Sequence, residues 1–319
     1  MTVGGALIVY ATAVGLAGAA GFRRAAWPLR APRLGAAVLL AAAWSVPVAF
    51  VLAGVTIILP PSALFADLGR LVGACLVRLR AAYGTPAGAG IVTAGQVLSL
   101  AVLVRMGWAV GRVAHRRRAQ RRRHRLLLRL AGRRRPDVPA VVLDCPGPAA
   151  YSVGGRRPAV VVTSGAVELL TGPQLGAVLA HEDAHLRGRH HRLALAAALV
   201  AEALPLVPLL REAPARVGRL LEMDADERAA HHHEPRVLAS ALVAVTTAGG
   251  GAAGAVAVAS STGAASVTGG DALARVHRIL RPPDRLPRRR EALTRAAVVA
   301  LVMAPLVLAT APAVVALLP

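Results

Sequence analysis

Long uncharged stretches alternate with short arginine-rich ones along this chain. Val3 to Gly21 carries no charge, and about 19 residues at a 1.5 Å rise nearly match the ~30 Å hydrocarbon thickness of a bilayer. Leu34 to Leu59 is a second uncharged stretch, long enough to span with some tilt despite Pro47. A third runs from Ile91 to Val110, with Arg105 near its inner end, and a last one from Ala296 to Leu318. Between the second and third, Leu64, Leu68, Leu71, Val72, Cys75, Leu76 and Leu79 recur at helical spacing, while Asp67, Arg70 and Arg78 break any spanning run. This predicts an amphipathic helix on the outer membrane surface.

From Pro136 the pattern changes to that of a folded domain. The β-branched runs Ala140 to Leu143 and Ala159 to Thr163 predict strands, with Tyr151 to Pro158 as a turn-rich link. An edge strand of such a sheet can hold an extended peptide by strand addition. Thr171-Gly172-Pro173-Gln174 has capping-box form and Gly188 is a helix stop, so a helix is expected between them. Leu193 to Leu210 is apolar but contains Glu202, Pro205 and Pro208, which predicts a segment that dips into or lies against the membrane and returns. His231, His232 and His233 precede Pro235 and read as an exposed loop; Ala248 to Gly270 reads as a flap or linker. The expected fold is mainly α and multipass, with a cytoplasmic α+β domain carrying a small sheet. Its divisions are three spans and the outer helix (1–111), a basic juxtamembrane linker (112–135), a cytoplasmic α+β domain (136–295, with 193–210 its membrane-dipping or packed helix) and a C-terminal span (296–319).

Charge orients this scheme. The formal net charge is +22, and with no Lys present all 38 basic residues are Arg. Arg23, Arg24, Arg30 and Arg33 follow the first span, the run from Arg112 to Arg135 follows the third, and Arg275 to Arg295 precedes the last. By the positive-inside rule these lie in the cytoplasm of a bacterial inner membrane. The Arg112 to Arg135 run has no interleaved aromatics for stacking on bases, so anionic lipid head groups are its expected partner rather than nucleic acid. Cys75 and Cys145 form no C-x-x-C pattern, which excludes a cysteine zinc cluster.

The chemistry centres on His181-Glu182-Asp183-Ala184-His185, an H-E-x-x-H sequence. On a helix the two His, four positions apart, face the same way and can grip one zinc ion, while Glu182 is placed as a general base on water. A catalytic zinc needs a third protein ligand, and Glu222 is the best downstream carboxylate. Asp226, one turn beyond it, is placed to hydrogen-bond a ligating His. An oxyanion also needs a stabilising group, for which His277 and His231 are the candidates.

With those residues in place, Tyr151 to Leu280 resembles the membrane zinc peptidases of the BlaR/MecR antirepressor family. The resemblance rests on Tyr151-Ser152-Val153-Gly154, Val160-Val161-Val162, Val178 through Arg187, Glu222 to Asp226, and Arg275-Val276-His277-Arg278-Ile279-Leu280. It implies a gluzincin endopeptidase facing the cytoplasm, with residues 136–295 as a zincin-type zinc peptidase domain, Zn2+ on His181, His185 and Glu222, Glu182 as base, and a peptide or protein substrate such as a winged-helix transcriptional repressor. HtpX-like quality-control peptidases share the same kit; a non-catalytic membrane scaffold is the reading from another class. Asp183 departs from the apolar residue usual in the family. The chain ends just after its last span, so an external penicillin-binding sensor domain is expected to be absent.

Overall fold

The computed structural model describes residues 3–58, 77, 86–134, 136, 138–155, 158–248 and 269–315. The predicted outer helix from Leu64 to Arg80 falls, apart from Val77, outside the described residues, as does nearly all of the Ala248 to Gly270 stretch. Helices α1 (Val3–Arg24) and α2 (Pro32–Ile58) are joined through a 3-10 turn, Trp27–Leu29, and α3 runs from Pro86 to Ala131. Near the other end, α10 (Arg288–Val315) follows a proline-bearing stretch without regular secondary structure. Among the described residues four helices are long and apolar enough to cross a membrane: Val3–Arg24, Pro32–Thr56, Gly88–Gln120 and Arg288–Ala311.

At 46 residues, α3 carries the third span straight on into the arginine run. The separate basic linker expected over 112–135 is therefore helical to Ala131, and Gly132–Arg134 forms strand β1. Arg is a good helix former, and nothing in the run breaks a helix before Gly132.

Strands β2 (Val141–Leu143), β3 (Ala150–Val153) and β4 (Ala159–Thr163) complete a mixed sheet in the order β1-β2-β4-β3. β2 and β4 run parallel; β3 pairs antiparallel with β4, Tyr151 opposite Val161. The stretch expected as a turn-rich link thus holds an edge strand in its first half, with Tyr151 and Ser152 buried. After the short α4 (Ser164–Leu169) comes α5 (Gly172–Arg187), bounded as its signals predict: Gln174 Oε1 accepts from the Thr171 amide at 3.0 Å, and Gly188 is the C-cap.

The apolar stretch over 193–210 is two helices and a bend. α6 (His190–Ala203) ends before Leu204, and α7 (Pro208–Ala230) returns beside it. Ala197, Val200, Leu209, Leu210 and Val217 are fully buried in one core with Leu7, Leu39, Ala43 and Val46 of α1 and α2. This ties the segment after the H-E-x-x-H helix to two of the candidate spans. α8 (Pro235–Ala248) and α9 (Gly269–Leu280) close a smaller core with Ala177 of α5 and Ala229 of α7.

Candidate metal centre

Helices α5 and α7 bring three donors to one point. His181 and His185 stand one turn apart on α5, and Glu222 projects from α7. The two Nε2 atoms are 3.2 Å apart; Glu222 Oε2 is 3.5 Å from the first and Oε1 3.5 Å from the second. Donors on a tetrahedral zinc at 2.0–2.1 Å are about 3.3 Å from one another, and one donor atom from each of the three residues lies within 4.8 Å of the other two, so the trio is grouped closely enough to hold such an ion. Two imidazoles and one carboxylate also leave one coordination position open, as a catalytic site requires.

Behind each imidazole stands a different support. His181 Nδ1 lies 3.0 Å from Asp226 Oδ1, and Arg275 on α9 holds that carboxylate with two contacts of 2.8 Å from Nε and Nη2. Arg275 also reaches Glu222 Oε2 through Nη1 at 3.2 Å, so one guanidinium links the carboxylate of the trio with the one that supports His181. Burial opposes charge on His181, but its contacts with Asp226 and Glu222 outweigh it and lift the ring to about 10. Those carboxylates attract a proton to His181 when no metal competes.

His185 is backed by an imidazole instead. His190 Nδ1 is 2.9 Å from His185 Nδ1, and His190 Nε2 is 2.9 Å from Asp224 Oδ2, which also accepts from Arg228 Nε at 2.8 Å. The network assigns the protons: His190 donates from Nε2 to Asp224, so its Nδ1 accepts from His185 Nδ1–H, and the lone pair of His185 Nε2 points at the trio. Burial pushes His185 down to about 3, opposed by Glu222 and aided by His181 and Arg275, so the ring is neutral as a ligand must be. Gly188 makes this possible, because a Cβ there would lie 2.3 Å from His190 Nε2.

Glu182 sits beside the trio, with Ser152 of edge strand β3 as a hydrogen-bond partner. Part of its surface stays accessible, yet desolvation, opposed by His181 and reinforced by Glu222, raises its carboxyl to about 7. A base with that value can take and return a proton near neutral pH.

Asp183 faces away from the trio. It pairs with Arg187 Nε at 2.6 Å and lines an outer cleft with Pro139, Val160 and His231. His231 is exposed and His277 is exposed on α9, so the structure does not bring these two oxyanion candidates to the trio. Arg275, two positions before His277 on the same helix, occupies the inward side instead. The sequence pattern assigns no role to His190 or Asp224, although Asp224 and Arg228 have the i,i+4 spacing of a helical ion pair.

Residues 114–213 match the model of Peptidase family M48. The matched stretch contains the basic end of α3, the sheet, the whole H-E-x-x-H helix and α6, and stops before Glu222. No curated protein and no solved structure matches the chain. The family match, the metal-competent trio and the four candidate spans together support a membrane-associated metallopeptidase.

Proposed function

We propose that this chain is a multipass, zinc-dependent endopeptidase whose site faces the cytoplasm of a bacterial inner membrane. The observation that carries the reading is the convergence of His181, His185 and Glu222 with Glu182 beside them on the same helix. Zinc held by that trio would polarise a peptide carbonyl and lower the pKa of water. Glu182 takes the proton from the attacking water and returns it to the leaving amine. Asp226 and the His190–Asp224 pair hold the two rings in register, and Arg275 keeps Glu222 and Asp226 ionised and in place. Arg275, a buried cation 3.2 Å from Glu222 Oε2, joins His277 and His231 as a candidate to stabilise the developing negative charge. β3, at the sheet edge beside α5, offers its outer side to an extended substrate.

The arginine-bearing ends of the four candidate spans support the cytoplasmic orientation, and the run from Arg112 to Arg135 is suited to anionic head groups. The resemblance to BlaR/MecR antirepressor peptidases favours a signalling role in which a cytosolic winged-helix repressor is cleaved. One observation favours quality-control proteolysis of membrane proteins, as in HtpX-like enzymes: the helix carrying Glu222 shares its core with α1 and α2, so the site lies against the membrane. A scaffold without catalysis is the third possibility. Cleavage of a co-reconstituted repressor and of an unfolded membrane protein, each with the parent and with Glu182→Gln, separates the three. We expect cleavage by the parent and none by the variant at equal metal content; equal activity in both removes the catalytic reading.

A further inference from the structure

The bend between α6 and α7 holds Leu204, Pro205, Leu206 and Val207, and Leu206 is 93% exposed. No charge occurs from Ala203 to Leu210. The bend's height relative to the spans can be read from α1. Glu212 pairs with Arg23 at the charged end of α1 at 2.6 Å, Leu209 faces Gly18, and Val207 meets Gly15 closely enough that a Cβ there would lie 2.8 Å away. Gly15 is eight residues before Arg23, about 12 Å deeper along the helix. That depth is short of the bilayer midplane, about 15 Å from either edge of the hydrocarbon.

Part of the hydrogen bonding at the bend is satisfied within the chain, although the Leu206 N–H finds no acceptor there among the described residues. Leu204 N donates to Val200 O at 3.0 Å, Val207 N to Leu204 O at 3.2 Å, and Pro205 and Pro208 have no N–H to satisfy. Arg105 of α3 caps the end of α6, donating to Glu202 O at 3.0 Å and Ala203 O at 3.1 Å. Its guanidinium lies 4.7 Å from the Trp108 ring, and Arg112 lies at the same distance. Glu202, the last charge before the tip, is neutralised by Arg112 at 3.0 Å and Arg116 at 3.5 Å. Carbonyls at a helix end and a carboxylate near hydrocarbon are costly unless paired in this way.

We propose that Leu204–Val207 is a re-entrant tip seated among acyl chains of the leaflet adjoining the metal site, with Leu206 as its lipid-facing anchor. The partner is lipid hydrocarbon. The tip enters and leaves the same leaflet, which keeps His185 and Glu222 on one side of the membrane while fastening both helices to the spans. This inference rests on the spanning helices and not on peptidase activity, so the two readings can fail separately.

The test uses the full chain in liposomes with Cys75 and Cys145 replaced by Ser, and single cysteines introduced as Leu206→Cys, Pro205→Cys, Leu16→Cys and Arg219→Cys. Leu16 on a span is the lipid reference, and Arg219, on the same hairpin as Leu206, is the water reference. Nitroxides at 205 and 206 should share the oxygen-over-nickel accessibility of position 16, and maleimide labelling there should be at least about tenfold slower than at 219. Only variants with the parent's thermal midpoint are scored. Labelling and nickel accessibility at 205 and 206 equal to those at 219 would overturn the proposal.

Discussion

His181 and His185 stand on one face of one helix and point at the same carboxylate, yet they are supported in opposite ways. His181 meets an aspartate directly, and the pair of acids around it raises its pKa to about 10. His185 meets a second imidazole that intervenes before the aspartate, and burial lowers it to about 3. Each aspartate is in turn anchored by an arginine, Arg275 on Asp226 and Arg228 on Asp224. A direct carboxylate supplies charge as well as orientation, whereas an interposed imidazole supplies orientation and passes on little charge. The site therefore sets its net charge at His181 and the position of its second nitrogen donor at His185.

The largest expected effect comes from the charged side. Arg275 is 9% exposed, and Arg275→Ala leaves Asp226 and Glu222 without their cation, which should cost about 3–5 kcal/mol in unfolding free energy and most of the bound metal. A loss confined to metal affinity, with stability unchanged, would mean that the guanidinium is not structural. On the imidazole side, His190→Ala removes the acceptor for His185 Nδ1 while Asp224 keeps Arg228. Metal affinity, measured by competition with a chelator, should fall about 10–100-fold with only modest destabilisation. Equal behaviour of the two variants would erase the contrast between the two supports.

A smaller effect is expected from pH. The Glu182 carboxyl rises to about 7 in the folded metal-free chain against an ordinary 4.5. Below the ordinary value both states are protonated; the unfolded chain ionises first as pH rises, so burial of this group destabilises increasingly up to about 7 and fully above it. Glu182→Gln should therefore raise the thermal midpoint of the metal-free protein at pH 8 and leave it unchanged at pH 4. The smallest effect belongs to the outer face of α5, where the Asp183–Arg187 pair has side chains 38% and 74% exposed. Asp183→Asn should change stability by at most about 0.5 kcal/mol and leave metal affinity alone; a larger change in affinity would place Asp183 in the site after all.

Several of these features were legible in the sequence for identifiable reasons. The limits of α5 follow from the capping box at Thr171 and from Gly188, and the spacing of His181 and His185 on that helix dictates their common face. The spans are legible because exclusion of charge over about 20 residues is a strong signal. β3 was obscured because four residues between prolines and glycines carry too little periodicity, and only pairing with β4 makes them a strand. His190 was hidden by the turn at Gly188 and Arg189, whose φ of 53° puts the ring beside His185 outside any helical register. Arg275 lies 49 positions from Asp226 in a chain rich in Arg, where no local spacing distinguishes one guanidinium from the others. Asp183 stands where the resembled family carries an apolar residue, and its side chain is partly exposed and paired with Arg187.

The central claim is that His181, His185 and Glu222 hold one metal ion. X-ray absorption and elemental analysis of the purified full chain test it most directly. The account predicts one zinc per chain bound by two imidazole nitrogens and one carboxylate, with Glu182→Gln unchanged and Glu222→Ala depleted. A parent that retains no metal under zinc-replete conditions, or a Glu222→Ala variant with the parent's metal content and coordination, would contradict it.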